Sequence, residues 1–196
     1  MASDTFTNDD GTELATHNAS WTWSRGDLNS YAKIYSNAIR IDATREIAFY
    51  YSGSQTDYSK VTVKANQNSD DRNGPAVRVN AGQNGYHAYF LSPSGGNWTT
   101  VRLMRNADMI DEYAGSWAVA SDHIVEISAS GTGATVTVVL TVDGSQVVSY
   151  PDTNAARITS GYSGIRLYSV SANVLAFDDW TDTQGAAWQY SIGMRL

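Results

Sequence analysis

The chain has 196 residues, 42% of them apolar, enough to bury roughly 70% of the unfolded surface as one domain. Lys and Arg total 13 against 20 Asp and Glu, a net charge of −7, and no window collects several basic residues; nucleic-acid phosphates and anionic membranes are therefore not expected partners. The lack of cysteine excludes disulfides, thiol nucleophiles and cysteine zinc sites.

Along the chain the dominant period is two. The opening MASDTFTNDDGT has neither a basic n-region nor an apolar h-region, and no apolar run approaches the roughly 18 residues of a membrane span, so synthesis in a cytoplasm without a classical export signal is expected. VTV at Val61 to Val63, AVRVN at Ala76 to Asn80, GYHAYFL at Gly85 to Leu91, HIVEIS at His123 to Ser128 and TVTVVLTV at Thr135 to Val142 alternate or run β-branched, as strands do. A short helical turn is expected at Ala107 to Ala114. Asp143-Gly144, between TVTVVLTV and QVVSY, is the strongest hairpin signal. The three prolines, Pro75, Pro93 and Pro151, are expected at strand starts or in loops. This pattern predicts an all-β, two-sheet antiparallel sandwich with Val61, Val63, Val77, Val79, Val136, Val138, Leu140 and Val142 inside.

Four blocks carry a family resemblance: DTFTNDDGTEL at Asp4 to Leu14 followed by Trp21, RNGPAVRVN before GYHAY, HIVEISASG, and SGYSGIRLYS before LAFDDWTD. Together they resemble the concanavalin A-like (laminin G-like) jelly-roll modules of bacterial and phage surface proteins, over about residues 3 to 182. The resemblance implies that the first and last strands pair, with Asp4 to Thr7 near Leu175 to Asp179. It also implies a structural Ca2+ where those strands meet, involving Asp4 and Asp178 or Asp179. The alternative for these aspartates is that one caps backbone N–H groups while the other faces solvent. Since such folds include lectins, glycan-binding modules, glycosidases and adhesive domains, fold does not choose among functions.

Catalytic chemistry finds little support. A retaining glycosidase needs two carboxyls about 5 to 5.5 Å apart, and the Glu-x-Asp-x-x-Glu arrangement that glucanases of this fold carry is absent. Glu126 shares a strand face with Asp122, but four residues at about 3.3 Å each separate them too far for either glycosidase geometry. The histidines His17, His87 and His123 are scattered, and His123, in phase with Val125 and Ile127, reads as a strand-end or core residue.

Six Trp and twelve Tyr against four Phe are the informative surplus, because both combine contact area with a polar handle. Trp21, Trp23, Trp98 and Trp117 are the candidate glycan or partner contacts, with Trp98, after Gly95-Gly96-Asn97, the best candidate for an exposed loop. Residues 183 to 196 lie beyond the resemblance and form a separate segment after a domain of residues 1 to 182. There Trp188, Tyr190, Ile192, Met194 and Leu196 share one parity, an amphipathic strand suited to attachment or self-assembly.

These readings predict a non-catalytic structural or adhesive module, a phage virion surface protein such as a capsid decoration or appendage protein. It would dock on a capsid or tail, form homo-oligomers and engage a cell-surface glycan. The alternative is a free carbohydrate-binding lectin, cytoplasmic or released on lysis, and a glycoside hydrolase of the same fold comes third.

Overall fold

Period-two patterning dictates how this chain folds, since alternate residues of each strand must be covered from one side. The computed structural model describes residues 2–23, 32–41, 45–51, 55–64, 72–82, 84–94, 97–169 and 174–182. Its elements in chain order are β1 (Ser3–Asp4), α1 (Leu14–His17), β2 (Trp21–Trp23), β3 (Ala32–Tyr35), β4 (Ala38–Ile41), β5 (Arg45–Tyr51), β6 (Tyr58–Val63) and β7 (Gly74–Val79). There follow β8 (Tyr86–Ser94), β9 (Asn97–Arg105), β10 (Asp108–Ala118), β11 (His123–Ser130), β12 (Val136–Val142), β13 (Ser145–Asp152), β14 (Tyr162–Ser169) and β15 (Val174–Thr181).

Two antiparallel sheets face each other. One runs β13-β12-β11-β6-β15-β4-β3 with β1 paired to β15, and the other runs β10-β9-β8-β7-β14-β5-β2. This is the concanavalin A-like jelly roll, and the expected fold class holds. The core between the sheets is built from the predicted alternation: Val61, Val63, Val77, Val136, Val138, Leu140 and Val142 are buried in one cluster with Ile34, Ile39, Tyr86, Leu103, Ile165 and Trp180. At the β12–β13 hairpin Asp143 and Gly144 both take positive φ, 49° and 78°, the left-handed pair that a two-residue turn between twisted strands requires.

Four expectations need correction. Val79 is buried but not in the main core: it packs with Ala76 in a small cluster of its own. The cause is a bulge at Arg78, whose φ of 56° breaks the alternation and turns its own side chain inward. There the guanidinium donates to both Asp57 carboxylate oxygens at 2.8 and 2.7 Å and to the Ile158 carbonyl at 2.8 Å. Second, residues 107–114 form no helical turn; they open a hairpin between β9 and β10 around Asn106, φ 55°. The one described helix is the single turn α1. Third, the termini pair farther along than expected, Ser3 with Thr181 and Asp4 with Trp180. Fourth, the prolines sit within strand ranges, Pro75 second in β7 but Pro93 and Pro151 near the ends of β8 and β13.

Among the described residues no helix is long and apolar enough to cross a membrane.

Candidate functional site on the outward face of the seven-stranded sheet

Of the tryptophans singled out from sequence, the three whose side chains are described, Trp21, Trp98 and Trp117, are buried or half-buried. Trp98 is 1% exposed, lies within β9, and stacks on Phe90 at 4.7 Å with an interplanar angle of 7°, so it is core, not loop. Trp21 is likewise 1% exposed and meets Trp180 edge-on at 4.8 Å. Trp117 is half-buried against the core, 5.2 Å from the Phe90 ring. The Trp23 side chain and residues 183–196, with Trp188, Tyr190, Ile192, Met194 and Leu196, lie outside the described residues.

The proposed calcium ligands have protein partners instead. Asp4 is buried: its Oδ1 accepts from the Phe6 N–H at 2.8 Å and His17 Nε2 at 2.7 Å, and its Oδ2 from Trp21 Nε1 at 2.8 Å. Those donors occupy the lone pairs that Ca2+ would need. Asp178 accepts from the Asp179 N–H and lies 3.8 Å from Lys64 Nζ. Burial and then Asp179 raise the Asp178 pKa. Among the described residues no group of three or more ligating side chains could hold a metal ion.

Neither carboxylate of the Asp122 and Glu126 pair is unengaged. Asp122 accepts from Lys64 Nζ at 2.6 Å, while Glu126, in register with Lys60, lies close enough to the Tyr58 hydroxyl to act on its charge. Burial, followed by Glu126, pushes that hydroxyl well above its ordinary pKa. His123 is buried at the start of β11 as expected, with Nδ1 2.7 Å from Asp143 Oδ2 and Nε2 3.0 Å from the Ala118 carbonyl.

A different constellation emerges from strand pairing. Tyr86, Ala88 and Phe90 of β8 point into the core, so His87 and Tyr89 face away from it. Register then sets His87 beside Met104 and Ala76, and Tyr89 beside Arg102. One strand farther, Arg166 and Tyr168 of β14 have the parity opposite to core Ile165 and Leu167, and Arg166 is in register with Gly74. Arg72, just before β7, brings its guanidinium carbon 5.0 Å above the Tyr168 ring and 5.8 Å above the Tyr89 ring. The His87 and Tyr89 rings stack at 6.0 Å.

The electrostatics of this face are unusual for an acidic protein. His87 is 4% exposed and its Nδ1 has no hydrogen-bond partner. Burial first, then the charges of Arg166 and Arg72, hold its pKa well below 6.5, so the ring is neutral among arginines. Arg102 donates through Nε to Glu112 at 3.1 Å. Burial works against its charge, but Glu112 and Tyr89 outweigh that and leave its pKa raised. Tyr89 Oη donates to Met104 Sδ at 3.6 Å. Thus the floor, Ala76, His87, Tyr89, Met104 and Arg166, is buried, while Arg72 and part of Arg102 reach solvent.

At the loop end of the sandwich a polar cavity of about 440 Å³ is lined by Asn80, Asn84, Asn106, Arg157, Thr159 and Ser160, among others. Its asparagines are engaged in shaping loops: Asn80 Oδ1 accepts from Gly82 and Asn84 N–H groups, and Asn106 Oδ1 from the Gly85 N–H. The sequence reading missed both this cavity and the arginine face. Only the parity of His87 and Tyr89 against Tyr86, Ala88 and Phe90 pointed to the face.

No family model matches the chain, and no curated protein matches it. Similar solved structures exist. A carbohydrate-binding module from Bacillus subtilis superposes with a TM-score of 0.59 at 15% identity, covering 83% of this chain and 96% of the module. A protein of unknown function with a galectin-like fold, also from B. subtilis, gives 0.62 at 10% identity over 92% of this chain and 93% of its own. A laminarinase from Flavobacterium sp. UMI-01 gives 0.60 at 12% identity over 92% and 97%. The chain therefore has the concanavalin A-like, galectin-like fold that carbohydrate-binding modules and glucanases share.

Proposed function

We propose that this protein is a non-catalytic carbohydrate-binding module whose sugar-contacting surface is the outward face of the seven-stranded sheet. The observation that carries the reading is the group of Arg72, Arg102 and Tyr168, which reach solvent above the buried His87, Tyr89 and Arg166. A sheet holds such groups more rigidly than a loop does, so little ordering entropy is lost on binding. A carbohydrate-binding module and a laminarinase share the fold, which favours glycan recognition over the virion-surface reading; no observation here supports a phage particle as partner.

Affinity electrophoresis of the whole chain through gels containing a panel of neutral and acidic polysaccharides tests this. Retardation by at least one polysaccharide, lessened by Tyr168→Ala and unaccompanied by release of reducing or unsaturated ends, is the expected result. Unretarded migration throughout the panel, or depolymerisation of any member, overturns the reading.

A further inference from the structure

The cavity at the loop end of the sandwich shares no residue with the sheet face, so a ligand there goes beyond the reading above and does not depend on it. Its walls come from three stretches of chain: the β7–β8 connection with Asn80 and Asn84, the β9–β10 turn with Asn106, and residues 156–160. No aspartate or glutamate is among the described residues that line it.

Those walls are held in place by the fold beneath them. Both backbone groups of Ile158, at the middle of the 156–160 stretch, are tied to fully buried side chains: its N–H donates to Tyr86 Oη at 3.0 Å, and its carbonyl accepts from Arg78 Nη1 at 2.8 Å. Directly after that stretch, Gly161 passes so close to the Arg78 backbone that any Cβ there would overlap it. On the asparagine side, Asn80 Oδ1 accepts from two backbone N–H groups and Asn106 Oδ1 from one. These bonds fix both amides and leave each Nδ2 without a partner among the described residues.

The Asn84 amide and the Thr159 and Ser160 hydroxyls are exposed and also have no partner among the described residues. Arg157 directs Nε to the Gly133 carbonyl at 2.6 Å and Nη1 to the Asn154 carbonyl at 3.1 Å, so its fork is turned onto backbone rather than open to an oxyanion. What the cavity offers is therefore uncharged: amide donors, an amide acceptor, and two hydroxyls that do both. A sugar residue, whose every hydroxyl both donates and accepts, is the complement of such a wall, and about 440 Å³ is a size common among small-ligand sites. Partners fixed before binding also lose little ordering entropy.

We propose that the loop-end cavity is a second carbohydrate site, taking a neutral sugar residue on hydrogen bonds from Asn80, Asn84, Asn106, Thr159 and Ser160.

NMR titration of the nitrogen-labelled full chain reads the asparagine side-chain amides directly. The probes are the methyl glycosides of glucose, galactose, mannose and N-acetylglucosamine, with methyl glucuronide as the charged counterpart of the first. The expected result is a saturable shift of the Asn80, Asn84 and Asn106 side-chain signals with at least one neutral glycoside. Affinity should be about fivefold weaker in Asn84→Ala and in Ser160→Ala, each losing one hydrogen bond. Ser149→Ala, an exposed serine of β13 outside the cavity, should bind as the unsubstituted chain does. Melting curves establish that the three variants fold. Shifts confined to the sheet face around Arg72 and Tyr168, or no saturable shift with any neutral glycoside, overturn this inference and leave the sheet-face reading to its own test. Equal losses in Ser149→Ala and Ser160→Ala, or tighter binding of the glucuronide than of the glucoside, overturn it as well.

Discussion

Tyr86 Oη donates a 2.7 Å hydrogen bond to Asp152 Oδ2, joining a core residue of β8 to the last residue of β13, 66 positions away in the other sheet. Asp152 is fully buried and also accepts from Arg105 Nη1, at 2.9 and 3.1 Å, and from the Asn154 N–H at 3.0 Å. Tyr86 Oη in turn accepts from the Ile158 N–H at 3.0 Å. Burial, foremost, lifts the tyrosine pKa to about 12, so the hydroxyl stays a donor. One polar cluster thus ties the two sheets and the 153–160 loop together at the end of an otherwise apolar core.

Asp152→Asn should be strongly destabilising, because it strips the buried Arg105 of its buried counter-charge and leaves it only the exposed Asp108, 3.7 Å away. The expected loss is about 3–5 kcal/mol in urea unfolding. Tyr86→Phe, which leaves Asp152 and the Ile158 N–H each short of one partner, should cost less, about 1–3 kcal/mol. A loss under about 1 kcal/mol for Asp152→Asn would show that the cluster contributes little to holding the sheets together. For Asp152, burial favours the neutral acid, but Tyr86, Asn154 and Arg105 outweigh it and lower the pKa below 3.8. A depressed carboxyl stabilises above its unfolded pKa, and that contribution is lost as pH falls below 3.8 toward the folded value.

His87 should titrate abnormally. Its folded pKa lies well below 6.5, so the unfolded chain binds the proton first and stability must decline as pH falls below 6.5. NMR of the imidazole should show a neutral ring between about pH 7.5 and 5.5, whereas an ordinary histidine changes state midway. A midpoint near 6.5 for His87 would mean that burial and the two arginines do not act on it as described.

How much of this was legible beforehand follows from which interactions are local. Period two and the Asp143-Gly144 turn are local, and they yielded the sandwich, the main core strands and the β12–β13 hairpin. The Arg78 bulge is not local: nothing in AVRVN reveals that Arg78 will find Asp57 and Ile158, yet that pairing turns Val79 out of the main core. Trp98 misled because its glycine-rich flank suggests a loop, whereas the ring folds back between the sheets against Phe90 and His123. The arginine face was hidden for the same reason as the bulge. Arg72 and Arg166 reach His87 through the pairing of β7, β8 and β14, a register that parity alone does not supply.

Calcium should leave the melting temperature unchanged, measured with excess Ca2+ and again after exhaustive chelation. The Asp4 carboxylate already accepts from the Phe6 N–H, His17 and Trp21, so metal would have to displace protein donors. Asp4→Ala, by contrast, should cost about 2–4 kcal/mol, since it orphans buried donors at the point where the chain ends meet. A melting temperature that climbs with Ca2+ concentration and no longer does so in Asp4→Ala would restore the metal site.

Truncation after Asp182 should leave a folded protein. The described sandwich closes on itself at that residue: the Asp182 N–H donates to the Ala2 carbonyl at 3.0 Å, and the Ala2 N–H donates to Asp182 Oδ1 at 2.6 Å. Just before it, Trp180 fills the core and donates from Nε1 to Ser59 Oγ at 3.0 Å. None of these contacts uses residues 183–196, where five large apolar side chains share one parity and would each gain about 1.5–3 kcal/mol from burial. If that segment serves assembly, the truncated chain keeps the melting temperature of the whole protein within a few degrees but sediments as a monomer where the whole chain self-associates. Truncated protein that unfolds would assign the segment to the domain's own core, and truncated protein that self-associates unchanged would remove it from the interface.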